Sequence, residues 1–248
     1  MLTALEEKFE SEHPDVDVEF ISAGTGKALE YAENGDVDLV MVHAKAKEQE
    51  FIDAGYGTNR TIFAYNFFYL VGPEDDPAGV NGSDVLTSFE TIADEGAKNP
   101  DKVKFVSRGD ESGTHNRELK IWNSTDLDYN ASVSGQDWYL ESGKGMGETL
   151  IMSNEKQAYT LSDSGTYLAF AGNTTLVPFI TEEKDLMNVY SLIPVNDTMF
   201  PDTKTDIGQE WISFVTGNEG QGIIKDYGVD EYGQTLFTPY VGTSDPEL

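Results

Sequence analysis

The stretch that decides the fold is VDLVMVHAKAKEQEFIDAGYGTNRTIFAYNFFYLVG, residues 37–72. Its first and last parts, VDLVMV (37–42) and TIFAYNFFYLVG (61–72), are short and almost continuously apolar, which is typical of buried strands. Between them, AKAKEQEFIDAG (44–55) has helical spacing and ends in Gly55, a residue type that terminates helices. A strand, a helix and a second strand in this order predict a mainly parallel sheet covered by helices.

The chain before this stretch continues the alternation. Apolar residues recur at helical spacing from Leu2 to Phe9, and Pro14 ends that helix. The segment VDVEFI (16–21) alternates as a strand does, and GTGKALEYAENG (24–35) has the spacing of a short helix. The N-terminal part therefore predicts a helix, a strand and a second helix.

A turn-rich segment, PEDDPAGVNGSD (73–84), follows Gly72 and marks the first passage between two lobes. The chain beyond it predicts a second α/β region. Helices are predicted at 83–96, 112–122, 135–141 and 145–152 and from Asp163 onward, and strands at 102–107 and 157–161.

The C-terminal part predicts a return to the first lobe. NVYSLIPVN (188–196) has the pattern of a strand, and two amphipathic helices ending in glycine follow it. Crossings near residues 72 and 195 predict a two-segment hinge with a ligand cleft between the lobes. The predicted lobes are 1–72 plus 196–248 (lobe I) and 73–195 (lobe II), each a mainly parallel sheet flanked by helices.

The composition excludes several classes of function. Forty-five acidic and sixteen basic residues give a formal charge of −29, which disfavours binding to nucleic acid or to an anionic membrane. Any anion must therefore be bound by local groups. A salt-rich setting would screen the repulsion between the acidic protein and the anion. The absence of cysteine excludes disulfides, thiolate zinc sites and cysteine catalysis.

Features of the sequence also bear on the compartment. No apolar run reaches the roughly 18–20 residues that span a bilayer, and the opening MLTALEEKFE is too acidic for a signal peptide, so neither is expected in this sequence. An excess of glycosylation sequons favours an extracytoplasmic surface. Six N-x-S/T triplets occur, at Asn59, Asn81, Asn123, Asn130, Asn173 and Asn196.

The strongest functional pattern is SRGDESGTH (107–115), which lies between a predicted strand and a predicted helix. Gly113 lets the backbone approach a ligand closely, while Ser112 and Thr114 add hydroxyl donors. The helix start offers unpaired N–H groups, and Arg108 adds a permanent positive charge. These groups together suit an anion. The alternative is an ordinary capped helix whose arginine forms a structural salt bridge to Asp110 or Glu111.

A second turn between a strand and a helix, SAGTGKA (22–28), also carries glycines that free N–H groups for a ligand. It resembles a fragment of a nucleotide P-loop. That motif, however, requires glycine where Ile21 stands and a hydroxyl residue where Ala28 stands, so a nucleotide hydrolase is disfavoured.

A lone histidine, His43, follows the buried strand 37–42 at the edge where α/β sheets bind ligands. It is either an oxyanion donor or a structural residue with satisfied hydrogen bonds. The sequence contains no H-x-x-x-H pair and no compact catalytic signature, so it predicts neither a metal site nor a catalytic residue. The segment 126–130 starts like a calcium loop, but Ala131 replaces the required glycine.

Taken together, these stretches resemble the tungstate-binding receptors of ABC importers, within the type II periplasmic binding proteins. The similarity runs nearly from end to end. It rests on GTGKAL, GDVDLVMVHA, YNFFYLVGPEDDPAG, SRGDESGTH, GMGETL, AYTLSDSGTYLAF, IPVN and EGQGIIKDYG.

The resemblance implies a set of ligand-binding residues. Arg108, Ser112, Gly113 and Thr114 look like the oxyanion clamp of the second lobe, and Thr25 and Gly26 would face it. Gly147 and Tyr159 correspond to residues that line the cleft. The family also begins with a strand and a Ser/Thr-rich turn, whereas this sequence starts inside the following helix, so that strand is expected to be missing.

The expected function is capture of tungstate, or of molybdate as a second choice, by a monomeric extracytoplasmic receptor, periplasmic or lipid-anchored at the cell surface. It would deliver the oxyanion to the membrane subunit of an ABC permease, with no cofactor, no nucleic acid and no catalytic step. The inferred ligand shell contains donors only, which suits anions that carry no proton near neutral pH and disfavours phosphate. The alternatives are a sensory or surface module, and an enzyme of similar two-lobed fold that acts on an anionic small molecule.

Overall fold

Residues 1–246 are described by a computed structural model, in which helices and strands alternate as the α/β class requires. The chain divides into two compact units. Of the described residues, unit 1 comprises 1–66 and 188–246, and unit 2 comprises 67–187. One division falls within a long strand and the other at the start of a second one. The predicted crossings, near 72 and 195, lie toward the ends of the same two strands, and the predicted hinge remains a prediction.

Unit 1 is built mainly from the two ends of the chain. Its strands are β1 (Leu39–Val42), the first part of β2 (Thr61–Pro73), β7 (Met187–Pro194) from Asn188 onward and β8 (Thr238–Gly242). Its helices are α1 (Leu2–Glu12), α2 (Thr25–Glu33), α3 (Lys45–Asp53), α9 (Thr205–Thr216), α10 (Asn218–Asp226) and α11 (Val229–Tyr232).

Unit 2 contains the middle of the chain. Its strands are the second part of β2, β3 (Phe105–Ser107), β4 (Tyr139–Glu141), β5 (Thr160–Asp163) and β6 (Leu176–Ile180). Its helices are α4 (Val85–Lys98), α5 (Gly113–Trp122), α6 (Tyr129–Ser132), α7 (Met146–Lys156) and α8 (Ser164–Phe170), with short 3-10 turns at Ala171–Asn173 and Lys184–Leu186.

The directions of the paired strands differ from the prediction of mainly parallel sheets. β1 pairs with β7, and β2 pairs with β5, β6 and β8, all antiparallel. Parallel pairing joins β3 to β4 and Phe105 to Tyr159. The reason is topological, because β7 lies between β1 and β2 in the sheet order. Two strands joined by a helix are parallel neighbours only when no returning strand is inserted between them.

Two predicted elements are wrong. Residues 16–21 form no strand, and Phe20 and Ile21 are 38% and 57% exposed. Alternating apolar residues form a strand only when a neighbouring strand takes up their backbone hydrogen bonds. Residues 135–141 form no helix either. Gly135 has a φ of +74° in a turn, and Tyr139–Glu141 then pairs with β3.

Each unit has its own apolar core. In unit 2 a cluster of aromatic rings that includes Phe89, Phe105, Trp122 and Trp138 lies between α4, α5 and the strands. Unit 1 has a core under α1 and α9, in which Phe9 and Trp211 meet edge to face. Among the described residues, no helix combines the length and apolar character needed to cross a membrane.

Candidate functional site

The segment from the end of β3 into the first turn of α5, residues 107–114, carries four of the predicted site residues and is called the 107–114 loop. Ser112 is the N-cap of α5, where its hydroxyl accepts a hydrogen bond from the His115 N–H at 3.3 Å. The first N–H groups of a helix have no partner inside the helix. Those of Gly113 and Thr114 are therefore available at the positive end of α5, next to the partly buried hydroxyl of Ser112. Such a helix start binds anions.

The guanidinium group of Arg108 lies in the same loop and is mostly buried. Its Nη2 lies 2.5 Å from Oδ2 of Asp110, and the two side chains are 18% and 22% exposed. Its Nε is buried with no hydrogen-bond partner among the described residues. The salt bridge that the sequence left open as an alternative is thus present, yet it uses only one edge of the guanidinium. A buried N–H without an acceptor is costly, and an oxyanion oxygen would satisfy it.

Both oxygens of the Asp110 carboxylate are engaged. Oδ2 faces Arg108, and Oδ1 accepts a hydrogen bond from the Ser112 N–H at 3.2 Å. Burial would raise the pKa of Asp110, but the hydrogen bonds from the Ser112 hydroxyl and N–H and the charge of Arg108 outweigh it and lower the pKa. Asp110 is therefore ionised at neutral pH and orients the arginine.

The backbone of this loop adopts an unusual conformation. Gly109 and Glu111 have φ values of +60° and +59°. A Cβ at Gly109 would lie 2.9 Å from Cβ of Glu141, so glycine is required there both for its conformation and for space. Glu111 is held in the left-handed region because its N–H donates to His115 Nδ1 and its carbonyl accepts from the Asn116 amide. These bonds offset a strain of about 1 kcal/mol.

A second helix start in unit 2 adjoins the loop, and sequence reasoning did not select the residues that hold it there. The N–H of Ser142 donates to the carbonyl of Ser107, and that of Gly143 donates to the carbonyl of Arg108 at 2.8 Å. Helix α7 begins three residues later, with Gly145 as an N-cap that has no side chain to bond the first N–H groups. The glycine-rich run GKGMG (143–147) was the signal that could have pointed to this end of α7.

The structure gives Gly147 a packing role. It lies in the first turn of α7, and a Cβ there would lie 2.8 Å from the ring of Phe170 at the end of α8. Glycine thus allows these two helices to approach closely. A ligand contact by its backbone remains a prediction.

The structure buries Tyr159, for which lining of a cleft was predicted. Its ring is fully buried, and its hydroxyl donates to Asp76 at 2.6 Å and accepts from the Ala78 N–H at 3.0 Å. Burial and the Asp76 carboxylate raise the pKa of this phenol. Both hydrogen bonds of the hydroxyl go to the turn that starts at residue 73. In the described structure, Tyr159 therefore positions that turn.

In unit 1, Thr25 and Gly26 form the first turn of α2. The N-cap, Gly24, makes no side-chain hydrogen bond, so the first N–H groups of α2 are available. The ammonium group of Lys47, on α3, lies 3.6 Å from the position that a Cβ of Gly26 would take. A cation beside an uncapped helix start suits an anion. Sequence reasoning missed Lys47, because only the packing of α3 beside α2 brings it there.

His43 lies in unit 1 directly after β1, as predicted. Its Nδ1 is 3.0 Å from Oδ1 of Asn188, and the Asn188 amide donates to the hydroxyl of Tyr190 at 2.7 Å. The ring centroids of His43 and Tyr190 are 5.1 Å apart. Both interpretations of this histidine are compatible with its contacts, and a ligand contact remains a prediction.

A groove lies elsewhere in unit 1. It has a volume of about 670 Å³, and its walls are the segment 15–23, the chain from 36 to 41 and side chains of α1 and α9. None of the predicted site residues lines it. Its walls include apolar side chains such as Phe9, Val18 and Trp211, and we therefore do not identify it as the anion site. Within residues 1–246, no cluster of His, Asp and Glu side chains has the arrangement of a metal site.

Comparison with known proteins gives a consistent result. A family model described as a PBP superfamily domain matches residues 1–219. The tungstate-binding protein TupA of Peptoclostridium acidaminophilum is 35% identical over 227 residues, which are 90% of this chain and 76% of that protein.

Two solved structures are similar over almost their whole length. The tungstate-binding protein TupA from Desulfovibrio alaskensis G20 is 37% identical, with a TM-score of 0.87 over 98% of this chain and 94% of that one. The tungstate ABC transporter structure from Geobacter sulfurreducens is 42% identical, with a TM-score of 0.76 over 91% and 92% of the two chains. These levels of identity and coverage establish a family relationship.

Proposed function

The chain belongs to the PBP superfamily, and from this membership we propose that it is the receptor of an ABC importer that captures a tetrahedral oxyanion, tungstate before molybdate. Relatives named as tungstate-binding proteins, at 35% and 37% identity, and one named as a tungstate ABC transporter, at 42%, support this choice of ligand. The receptor binds and releases the anion unchanged, and its protein partner is the membrane subunit of the permease. It works outside the cytoplasm as a monomer, either free or held by a lipid anchor.

The observation that carries the proposal is the donor set of the 107–114 loop. Arg108 presents a buried Nε without an acceptor, and the start of α5 presents the N–H groups of Gly113 and Thr114. Of the two carboxylates in this loop, Asp110 has both oxygens occupied by Arg108 and Ser112, and Glu111 is exposed. A site whose partly buried carboxylate is already engaged and whose other groups can donate favours tungstate, molybdate or sulfate, which carry no proton at neutral pH, over protonated phosphate.

The energy that such a site must supply is within reach of this chemistry. Nanomolar affinity corresponds to about 12 kcal/mol. Hydrogen bonds that involve a charged group contribute roughly 1.5–3 kcal/mol each, so five to eight of them suffice after the cost of ordering. Unit 2 offers Arg108, Ser112, Gly113 and Thr114. The contributions of Thr25, Gly26 and His43 in unit 1, and the cleft in which they would join, are part of the proposal and await a test.

Titration calorimetry with tungstate, molybdate, sulfate and phosphate tests the proposal. We expect tungstate and molybdate to bind most tightly and phosphate most weakly. Arg108→Ala should reduce tungstate affinity at least about 100-fold, because it removes the charge and leaves Asp110 facing the anion. Lys120→Ala, an exposed change on the same helix that also removes one positive charge, is the control. Equal affinity of Arg108→Ala and the unsubstituted protein would refute the assigned site.

A further inference from the structure

A buried acid, Glu118, lies in α5 one turn beyond the donor groups of the 107–114 loop. The residue is 2% exposed. Its Oε1 accepts two hydrogen bonds, from the Trp122 indole N–H at 3.0 Å and from the Tyr139 hydroxyl at 2.7 Å. The Tyr139 hydroxyl lies in turn 3.1 Å from that of Tyr129. The carboxyl group is therefore fixed by side chains from β4 and from its own helix.

The same carboxyl group reaches the loop through Ser107. The Ser107 hydroxyl lowers the pKa of Glu118 through hydrogen bonding, and its oxygen accepts the Gly109 N–H at 3.2 Å. Ser107 is fully buried. Ser107 and Gly109 flank Arg108, so the contact with Glu118 fixes the backbone on both sides of the arginine.

Glu118 is also close to the expected position of the anion. Thr114 and Glu118 are four residues apart on one helix, so their backbones are separated by about 6 Å along its axis. Burial, with a smaller contribution from the nearby Glu141, raises the pKa of Glu118 to about 7 against the hydrogen bonds from Ser107, Tyr139 and Trp122. A dianion bound at the start of α5 would add to this repulsion and favour the protonated form.

Among the described residues, the groups that act most strongly on Glu118 include no cation. β3 contributes Ser107, and β4 contributes Tyr139 and the acidic Glu141. From helix α6, the hydroxyl of Tyr129 contacts that of Tyr139. From α4, the apolar ring of Phe89 packs against Trp122. The basic group that follows Ser107 is Arg108, which is paired with Asp110.

From these contacts we infer that Glu118 is a positioning residue for the oxyanion site. It holds the Ser107–Gly109 backbone through the Ser107 hydroxyl, and it takes up a proton when the dianion binds. The inference rests on the proposed function, since it names a residue that sets the affinity of the same site and the dependence of that affinity on pH.

The first experiment measures tungstate affinity between pH 6.5 and pH 9 by calorimetry, at micromolar anion. We expect the affinity of the unsubstituted protein to fall roughly tenfold across this range, because binding must protonate Glu118 at rising cost. Glu118→Gln keeps the acceptor oxygen for Trp122 and Tyr139 but cannot ionise. The tungstate affinity of this variant should therefore change less than twofold across the same pH range. Calorimetry in buffers of different ionisation enthalpy should show proton uptake near pH 8 in the unsubstituted protein and none in Glu118→Gln.

The matched control is Glu95→Gln. Glu95 lies on α4 of the same unit, its side chain is 34% exposed, and its partner is Lys98. This variant loses the same charge and should keep the pH profile of the unsubstituted protein. A profile that becomes flat in both variants would overturn the inference, because the effect would then arise from overall charge.

A second variant, Ser107→Ala, tests the positioning role. It breaks the link to Gly109 and removes a hydrogen bond that lowers the pKa of Glu118. We expect about tenfold weaker tungstate binding at every pH and a profile whose midpoint moves upward. Affinity equal to that of the unsubstituted protein would overturn the positioning role.

A measurement without ligand separates this inference from the proposed function. Because Trp122 donates to Glu118, indole fluorescence of the anion-free protein should titrate near neutral pH, and this titration should be lost in Glu118→Gln. If no oxyanion binds to the unsubstituted protein, the proposed function and the inferred role of Glu118 are both overturned, whatever the fluorescence shows. If tungstate binds and Glu118→Gln retains the pH profile of the unsubstituted protein, the inference alone is overturned.

Discussion

The Nε of Arg60 lies 2.6 Å from Oε2 of Glu48, in a pair that is almost fully buried within unit 1. Glu48 has no exposed surface, and its carboxylate also accepts hydrogen bonds from the Ala44 N–H and from the Ser191 hydroxyl at 2.8 Å. The Arg60 Nη1 contacts Asp245 at 3.1 Å. This network joins the start of α3 to the beginning of β2, to β7 and to the last described residues of the chain.

Glu48→Ala should therefore strongly destabilise unit 1. Removing one member of a buried ion pair leaves the other charge without compensation, which costs about 3–5 kcal/mol. We expect a decrease of that size in the free energy of unfolding, measured by denaturant titration. Glu50→Ala, an exposed acid on the same helix, should change it by less than about 0.5 kcal/mol. Similar stability of the two variants would show that the pair contributes little.

Asp110→Asn should weaken oxyanion binding without unfolding the protein. The change keeps the shape of the side chain but removes the charge that orients Arg108. Loss of one charge-assisted contact predicts roughly tenfold lower tungstate affinity by calorimetry. The control is Asp101→Asn, an exposed acid in the turn that precedes β3. If Asp110→Asn bound tungstate more tightly, Asp110 would act mainly by repelling the anion, contrary to the orienting role.

The raised pKa of Glu118 predicts how the stability of the protein depends on pH. Its pKa is raised from 4.5 to about 7 by burial, so the folded protein favours the protonated acid. Rising pH therefore lowers stability from about pH 4.5 until pH 7, and the cost is constant above that. The total is about 3 kcal/mol, since each pKa unit corresponds to 1.36 kcal/mol.

The comparison with Glu118→Gln isolates this contribution. The difference in unfolding free energy between the unsubstituted protein and Glu118→Gln should shift by about that amount in favour of the variant between pH 4.5 and pH 8. Urea titrations across this range measure it. A difference that stays constant with pH would mean that Glu118 titrates normally in the folded protein.

Gly72→Ala should destabilise unit 2. A Cβ at this position in β2 would overlap the ring of Tyr159, which is fully buried and held by Asp76. The ring cannot move aside without breaking that hydrogen bond, so we expect a loss of roughly 2–3 kcal/mol and a lower melting temperature. At Gly172 an added Cβ meets nothing within 4 Å, and Gly172→Ala is the control. Equal melting temperatures would contradict the close packing of Gly72 on Tyr159.

Local sequence patterns predicted most helices correctly. The helix at Val85–Lys98 begins after Asp84, whose side chain accepts from the Thr87 N–H, and the helix at Gly113–Trp122 begins after Ser112. Capping residues and apolar spacing act over a few residues, so they can be recognised in one sequence. The same applies to the part of the candidate site formed by residues 107–114.

Strands and their partners were predicted less well. Residues 16–21 alternate as a strand should but have no paired neighbour, whereas Tyr139–Glu141 is a strand because β3 lies beside it. The helix–strand alternation predicts parallel sheets, but most of the described strand pairs are antiparallel. One reason is that β7 lies between β1 and β2. A strand is stabilised by a segment distant in sequence, and the local pattern does not identify that segment.

The sequence by itself determined the α/β class, the positions of the main helices and an arginine, two hydroxyls and a glycine at the start of one helix. Only the tertiary structure decided that Tyr159 is buried against Asp76 and that Glu118 contacts the same loop through Ser107. The physical reason is distance along the chain. Helix caps and turns depend on neighbouring residues, whereas the burial of a charge and the partner of a hydroxyl depend on segments that folding brings together.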